Sequence, residues 1–462
     1  MRSFIHEIGG RARRAAPALA LLACAVLAAP AAAQGTTTVP HFFCGGSPPQ
    51  PIYLKPVPKV TNPEFTNQGA DCAMWQTFFY LNWPAQAGKR GVPDTSAKFG
   101  APGLTVWETF KTEDQVFLPN GAKPGPWDLA YTSSTLSKDV SSRVGVGQMR
   151  VLERTSKVSH DVARLQAAQP KQGLRASPNA PIPLNQIEQA DTYVLYDQQK
   201  LPVYYEVAMN RTQFDYIVGK GLYDADKQAA YAAKTNIILP QNSIEVKAAW
   251  KVLTPAETAS GRFHTSTGYI AAASTGGAGQ TVTVGMVGFH VFASGGPQSA
   301  GLWATFYQID NAPLAGVTPP GTATYSFYKV GSSTPVNTTG TNPTQVVQNF
   351  PDDSVAANVN AQARKTIIQG YANSPWQYYA MVDSQWSRTV LKLTSPIPAT
   401  VPLNPGTVST ATLINPVLET YMQTANNSCL GCHSFATTAK TNSSTATGFS
   451  FMFGNAQSPK KP

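Results

Sequence analysis

The chain has 462 residues, 42% hydrophobic and 10% aromatic, which is enough to bury a sizeable core and excludes a largely disordered polypeptide. Charged residues make up 13%, well under the ~25% of an average soluble domain, and 36 Gly with 37 Pro point to many turns rather than helical repeats. The formal net charge is +10, but basic residues do not cluster beyond the first segment. This argues against a nucleic-acid surface and leaves a mildly basic one suited to an anionic partner.

Arg11, Arg13 and Arg14 precede an apolar run from Ala15 to Ala29, and Ala31-Ala32-Ala33 supply small residues before Gln34. That order predicts a secretory signal peptide over residues 1–33, cleaved after Ala33. The apolar run is about 15 residues, short of the ~20 needed to span a bilayer. The mature chain is therefore expected to be periplasmic or secreted, with no transmembrane segment. The five cysteines are Cys24, Cys44, Cys72, Cys429 and Cys432. Cys24 leaves with the signal, and in an oxidising compartment Cys44 and Cys72 most simply pair in a disulfide.

Residues 34–70 read as an extended, Pro-rich entry. Asp71 to Leu81 reads as a helix with Asp71 as N-cap, stopped by Asn82-Trp83-Pro84. Residues 170–185 read as a loop, and strand-like stretches follow at Thr192–Tyr196, Val203–Met209, Ile244–Leu253 and Gly268–Ala273. Gln280 to Phe292 is the clearest strand. A regular alternation places Val282, Val284, Met286 and His290 on one side and Val287, Phe289 and Val291 on the other. Leu302 to Ile309 is a hairpin partner for it. Residues 315–345 form a long Gly/Pro/Thr-rich excursion, and Tyr378 to Leu393 returns to aromatic and β-branched character.

A Pro-rich connector over 396–410 separates a large domain, 34–395, from a terminal segment, 411–462. In that segment Val417, Leu418, Tyr421, Met422 and Ala425 make an apolar stripe at helical spacing after Asn415-Pro416. It runs into Cys429-Leu430-Gly431-Cys432-His433, the C-x-x-C-H pattern of covalent c-type haem attachment. Two thiols three positions apart on a helical turn can add to the two haem vinyl groups, and the adjacent His433 reaches the iron as its proximal ligand. A zinc site would need two more ligands, and the remaining cysteines lie far away in sequence. The candidates for the sixth iron position are Met452 and His290, with His264 a weaker one; the alternative is a position open to water or a substrate. Phe449, Phe451 and Phe453 are the local apolar material for covering a haem face.

The wider sequence resembles a group of poorly characterised exported bacterial proteins of the cytochrome c family. The resemblance is carried by Phe79-Tyr80-Leu81-Asn82-Trp83-Pro84, Val106-Trp107-Glu108-Thr109, Glu245 to Trp250, Met286 to Val291, Trp303-Ala304-Thr305-Phe306 with Asp310-Asn311, Gln385-Trp386, and Cys429 to His433. It implies one covalent haem c and electron transfer. The small class I cytochrome domain is a poorer match, because only 29 residues follow His433 and the first proline among them is Pro459. The expected fold is α+β: a β-rich large domain with a short α-helical C-terminal haem-binding segment, the large domain closing over the haem. The expected function is electron transfer with a redox partner protein, an acidic one on charge grounds. The alternative is a haem enzyme of peroxidase or oxygenase type with an open sixth position.

Overall fold

The computed structural model describes residues 41–42, 44, 50–52, 54–55, 66–129, 150–152, 194–270, 280–296, 299–391, 393, 401, 405–440 and 445–460. The signal peptide expected over 1–33 and the loop expected over 170–185 lie outside the described residues. So do most of the entry at 34–65 and most of the connector at 396–410. Among the described residues no helix is long and apolar enough to cross a membrane.

Helix and strand are both well represented, giving a mixed α+β fold. Two short strands, β1 (His41–Phe42) and β2 (Gln50–Pro51), pair with each other near the start of the described chain. Among the described residues the main sheet has eight strands: β3 (Lys111–Thr112), β4 (Arg150–Leu152), β5 (Tyr204–Met209), β6 (Ile244–Val252), β7 (Thr265–Ile270), β8 (Gln280–Ala293), β9 (Leu302–Gln308) and β10 (Tyr379–Trp386). The order is β10-β9-β8-β6-β5-β3. β8 is central: β6 lies along one edge, while β9 and β7 share the other. All these pairings are antiparallel, with β4 added parallel to β7. The β8–β9 hairpin forms as expected, with His290 opposite Thr305.

The regular alternation expected along β8 breaks at one point. β6 pairs Ala249 with Gly288 but Trp250 with Met286, so Val287 is an extra residue in a β-bulge. Met286 therefore packs in the main core with Phe289 and Val291, while Val287 joins a second cluster with Val417 and Leu418. Met286 and His290 do not share a side, contrary to the simple period of two.

One face of the sheet carries an aromatic core. Helix α1 (Asn67–Leu81) lies there with α6 (Ser354–Gly370), packing Trp75 against Phe306 at 5.3 Å and Phe78 against Phe289 at 6.1 Å. The N-cap of α1 is Thr66, whose hydroxyl accepts from the Gly69 amide. Asp71, expected to be the cap, instead lies within the helix, buried, and accepts a 2.6 Å hydrogen bond from the Ser384 hydroxyl. Cys44 and Cys72 are joined in a disulfide with Cα atoms 5.9 Å apart, pinning the early chain to α1.

Between β3 and β8 in sequence come the helices α2 (Glu113–Val116), α3 (Arg211–Lys220), α4 (Ala225–Ala232) and α5 (Pro255–Ala259), with α2 against β3 and β5 and α3 against β6. The opposite sheet face is covered by the chain from 411 onward. The helix expected over 417–425 does not form there: turns lead into a single 3-10 turn at Thr420–Met422. Asn415 Oδ1 accepts from the Val417 and Leu418 amides, and the Thr420 hydroxyl donates to Pro416 and Val417 carbonyls. The Asn415 bonds are those of an N-cap and start a turn, which ends at Met422 without lengthening into a helix.

Candidate functional site

Two cross-strand rows build one wall of a large cavity. Residues directly opposite in antiparallel strands put their side chains on the same face. The first row is Val207, Lys247, His290, Thr305 and Asp383, and the second is Met209, Glu245, Phe292, Trp303 and Gln385. Six of these, Val207, Lys247, His290, Glu245, Phe292 and Trp303, line a cavity of about 1010 Å³ including its open mouth. The facing wall comes from the 411–460 chain: Glu419, Met422, Cys429, Cys432, His433, Phe451 and Met452.

Helix α7 (Cys429–His433) places the C-x-x-C-H motif in that wall. Its N-cap is Ser428, and its Leu430 amide donates to Gln385 Oε1 at 2.8 Å, which docks the turn onto β10. The two thiols and the imidazole thus converge on one cavity. Burial pushes the Cys429 thiol far up, with the charges of Glu419 and Cys432 adding to it. Burial and then Glu419 push Cys432 up to about 12. This is opposite to a redox C-x-x-C, whose working thiol is lowered toward the thiolate. Among the described residues no group of three or more His, Cys, Asp and Glu side chains is placed to hold a bare metal ion.

His433 is oriented by backbone. Its Nδ1 lies 2.7 Å from the Phe449 carbonyl oxygen, so Nδ1 carries the proton and Nε2 keeps its lone pair. Burial lowers its pKa to about 4, against the opposing effect of that hydrogen bond, so the ring is neutral at neutral pH. The ring also rests against Trp303 at 4.5 Å and Phe451 at 4.9 Å. Phe449 adopts φ 79°, the left-handed region that bulky residues avoid, directly after Gly448 at φ 57°. This two-residue turn aims the carbonyl at His433. Of the three phenylalanines expected to cover a haem face, Phe451 lines the cavity, Phe449 works through its carbonyl, and Phe453 packs on Phe117 at 6.3 Å.

Of the candidate sixth ligands, Met452 and His290 line the same cavity, and both touch protein groups. His290 Nε2 is 2.7 Å from Glu419 Oε1, while Glu419 Oε2 accepts from the Asn415 amide at 2.8 Å. Burial would raise Glu419, but its interaction with His290 and these hydrogen bonds hold it below the ordinary carboxylate value. The buried His290 Nδ1 has no hydrogen-bond partner. Met452 Sδ accepts from Gln213 Nε2 at 3.5 Å, and the same amide donates to Glu245 Oε2 at 2.9 Å. Glu245 also accepts from the Ser450 hydroxyl at 2.6 Å and is pushed up by burial. Glu113 lines the cavity too. Burial, then Asp114, pushes it up to about 7.

Sequence reasoning found Cys429, Cys432, His433, His290 and Met452 but missed Glu419, Lys247 and Glu113 as cavity residues. A signal for one of them exists: Glu245 and Lys247 alternate inside an otherwise apolar strand, which places two charges on one face of a buried sheet. Glu419 carries no such signal, because a loop delivers it. Against known proteins the chain matches no family model, no curated protein and no solved structure.

Proposed function

We propose that this chain is an exported c-type haem protein that carries one haem, held by thioether bonds to Cys429 and Cys432 with His433 as an axial iron ligand, and that it exchanges electrons with a partner protein. The observation that supports this most is the convergence of both thiols and the Phe449-oriented His433 on one cavity. A bound haem c supplies the one-electron iron(III)/iron(II) couple. The chain's residues do the rest. Cys429 and Cys432 fix the porphyrin edge. Phe449 holds His433 in the tautomer that presents Nε2, in the manner of an outer-shell partner to a metal-ligating histidine. Phe292, Trp303 and Phe451 exclude water, which disfavours the more charged oxidation state.

Cys429, Cys432 and His433 are half-buried rather than sealed, and exposed Thr424, Ala425 and Asn426 flank them. Electrons would enter at this edge. The mildly basic chain suits an acidic redox partner, with rim charges acting mostly on association rate. Export is supported by the Cys44–Cys72 disulfide, a bond that persists in oxidising compartments. The terminal segment, 411–462, is the haem-binding part and the sheet is its other wall.

The second reading is a haem enzyme of peroxidase or oxygenase type. It is favoured by one observation: His290 Nε2 is held by Glu419 and Met452 Sδ accepts from Gln213 Nε2, so each candidate ligand already has a protein partner. Mass spectrometry of the protein, expressed with haem-maturation machinery, tests the shared core of both readings. One added haem that survives acid extraction is expected. An unmodified mature mass refutes both.

A further inference from the structure

We infer that Lys247 receives an ionised carboxylate of the bound cofactor, which makes that cofactor a haem with at least one free propionate. The inference deepens the haem reading above and rests on it.

Three observations carry it. First, the charge on the cavity lining is one-sided. Among the described residues that line it, Glu113, Glu245 and Glu419 are acids, and Lys247 is the one lysine or arginine. Val207, Phe292, Trp303 and Phe451 make much of the remaining wall apolar. An ionised carboxylate brought into such a lining is costly unless a cation meets it. Second, each of the three acids has hydrogen bonds of its own from other groups. Glu419 accepts from His290 and the Asn415 amide, Glu245 from Gln213 and Ser450, and Glu113 from Asn455. Third, Lys247 is placed to face a ligand. It lies in the middle of β6, between Val207 and His290 in one cross-strand row, and is half-buried rather than sealed. Its Nζ lies 5.5 Å from the centroid of the Tyr205 ring, a cation–π contact. Tyr205 packs with Val417 and Leu418, so the contact holds the ammonium over the sheet face that the chain beyond 411 covers.

A haem attached through its vinyl groups carries its two propionates on the other pyrrole rings. Cys429 and Cys432 therefore leave the carboxylates to the rest of the lining, where Lys247 is the available cation type. An ammonium meeting a carboxylate gives a charge-assisted contact, stronger than one between neutral groups.

The test uses the full mature chain, expressed without haem-maturation machinery and with its thiols reduced, and two probes. Iron mesoporphyrin has ethyl groups where haem has vinyls, so no thioether forms and binding stays reversible. Its dimethyl ester is the same macrocycle without the propionate charges. Absorbance titration gives a dissociation constant for each. We expect the parent to hold the free acid about 10–100-fold more tightly than the ester, the span of one hydrogen bond to a charged group. Lys247→Met should lose that preference while leaving ester binding near the parent value. Lys247→Arg keeps the charge and should keep most of the preference. The comparison is made within one chain, so a general loosening of the cavity, which weakens both probes, does not alter it. Thermal melts establish that each variant folds, and Lys247→Gln decides the matter if Lys247→Met does not fold. A parent that does not prefer the free acid overturns the inference, as does a preference that survives in the folded Met or Gln variant. A parent that takes up neither probe overturns it as well. The haem mass of the matured chain then separates the two readings: a loaded chain defeats only the role of Lys247, whereas an unloaded chain defeats the haem assignment itself.

Discussion

Phe449 shows how a single residue can be spent on a site. Its left-handed backbone, φ 79°, costs on the order of 1–3 kcal/mol, and the return is a carbonyl aimed at His433. Gly448 makes the turn possible. A Cβ there would lie 3.0 Å from the Ile237 carbonyl oxygen at a φ of 57°. Gly448→Ala is expected to destabilise the fold by about 2 kcal/mol in denaturant unfolding. Away from the cavity, burial pushes Asp71 up to about 7, and burial followed by the Asp71 charge pushes Asp383 up to about 8. The folded chain thus keeps protons that the unfolded chain releases near its ordinary 3.8. Between those values the folded state binds more protons, so stability is full at low pH and falls as pH rises toward 8. Urea midpoints should be lower at pH 8 than at pH 5 by the equivalent of ~1–3 kcal/mol, and Asp383→Asn should flatten that slope. A slope unchanged in the variant would refute the assignment.

At the scale of elements, the Cys44–Cys72 bond closes a loop of 28 residues. In the chain-entropy account that is worth about 3.5 kcal/mol, so a Cys44→Ser/Cys72→Ser double variant should lose about that much in guanidinium unfolding. Much at this scale was legible in the sequence. Apolar and β-branched runs located β5, β6, β8 and β9 within a residue or two, because strand side chains report their environment directly. Periodicity misled over 417–425, where only a 3-10 turn at Thr420–Met422 forms and the apolar side chains pack on the sheet from turns. It also missed α6, whose buried stripe of Ala356, Val359, Ala363 and Ile367 is small and interrupted by polar residues. The C-x-x-C-H was legible since its chemistry lies within five consecutive positions. The His290–Glu419 pair was not, because its partners are 129 residues apart and meet only when a loop crosses a sheet.

For the whole molecule, the cavity belongs to no single segment. Residues 37–462 form one compact unit. One wall is a row of side chains from β5, β6, β8 and β9, and the other is the chain beyond 411. A fragment of residues 411–462 lacks Lys247, His290, Phe292 and Trp303, and its α7 loses the Gln385 anchor. Such a fragment should remain unfolded by circular dichroism and fail to reproduce the haem spectrum of the intact chain. A native-like spectrum from the fragment would show the sheet to be dispensable.

The bulge at Val287 gives the central strand two phases. Up to Met286 the even-numbered positions, Val282, Val284 and Met286, face the aromatic interior and the odd-numbered threonines face water. From Phe289 onward the parity reverses: Phe289 and Val291 turn inward and His290 faces the cavity. One surplus residue therefore lets the same strand serve as interior at one end and as chemistry at the other, on opposite parities of a single run of sequence.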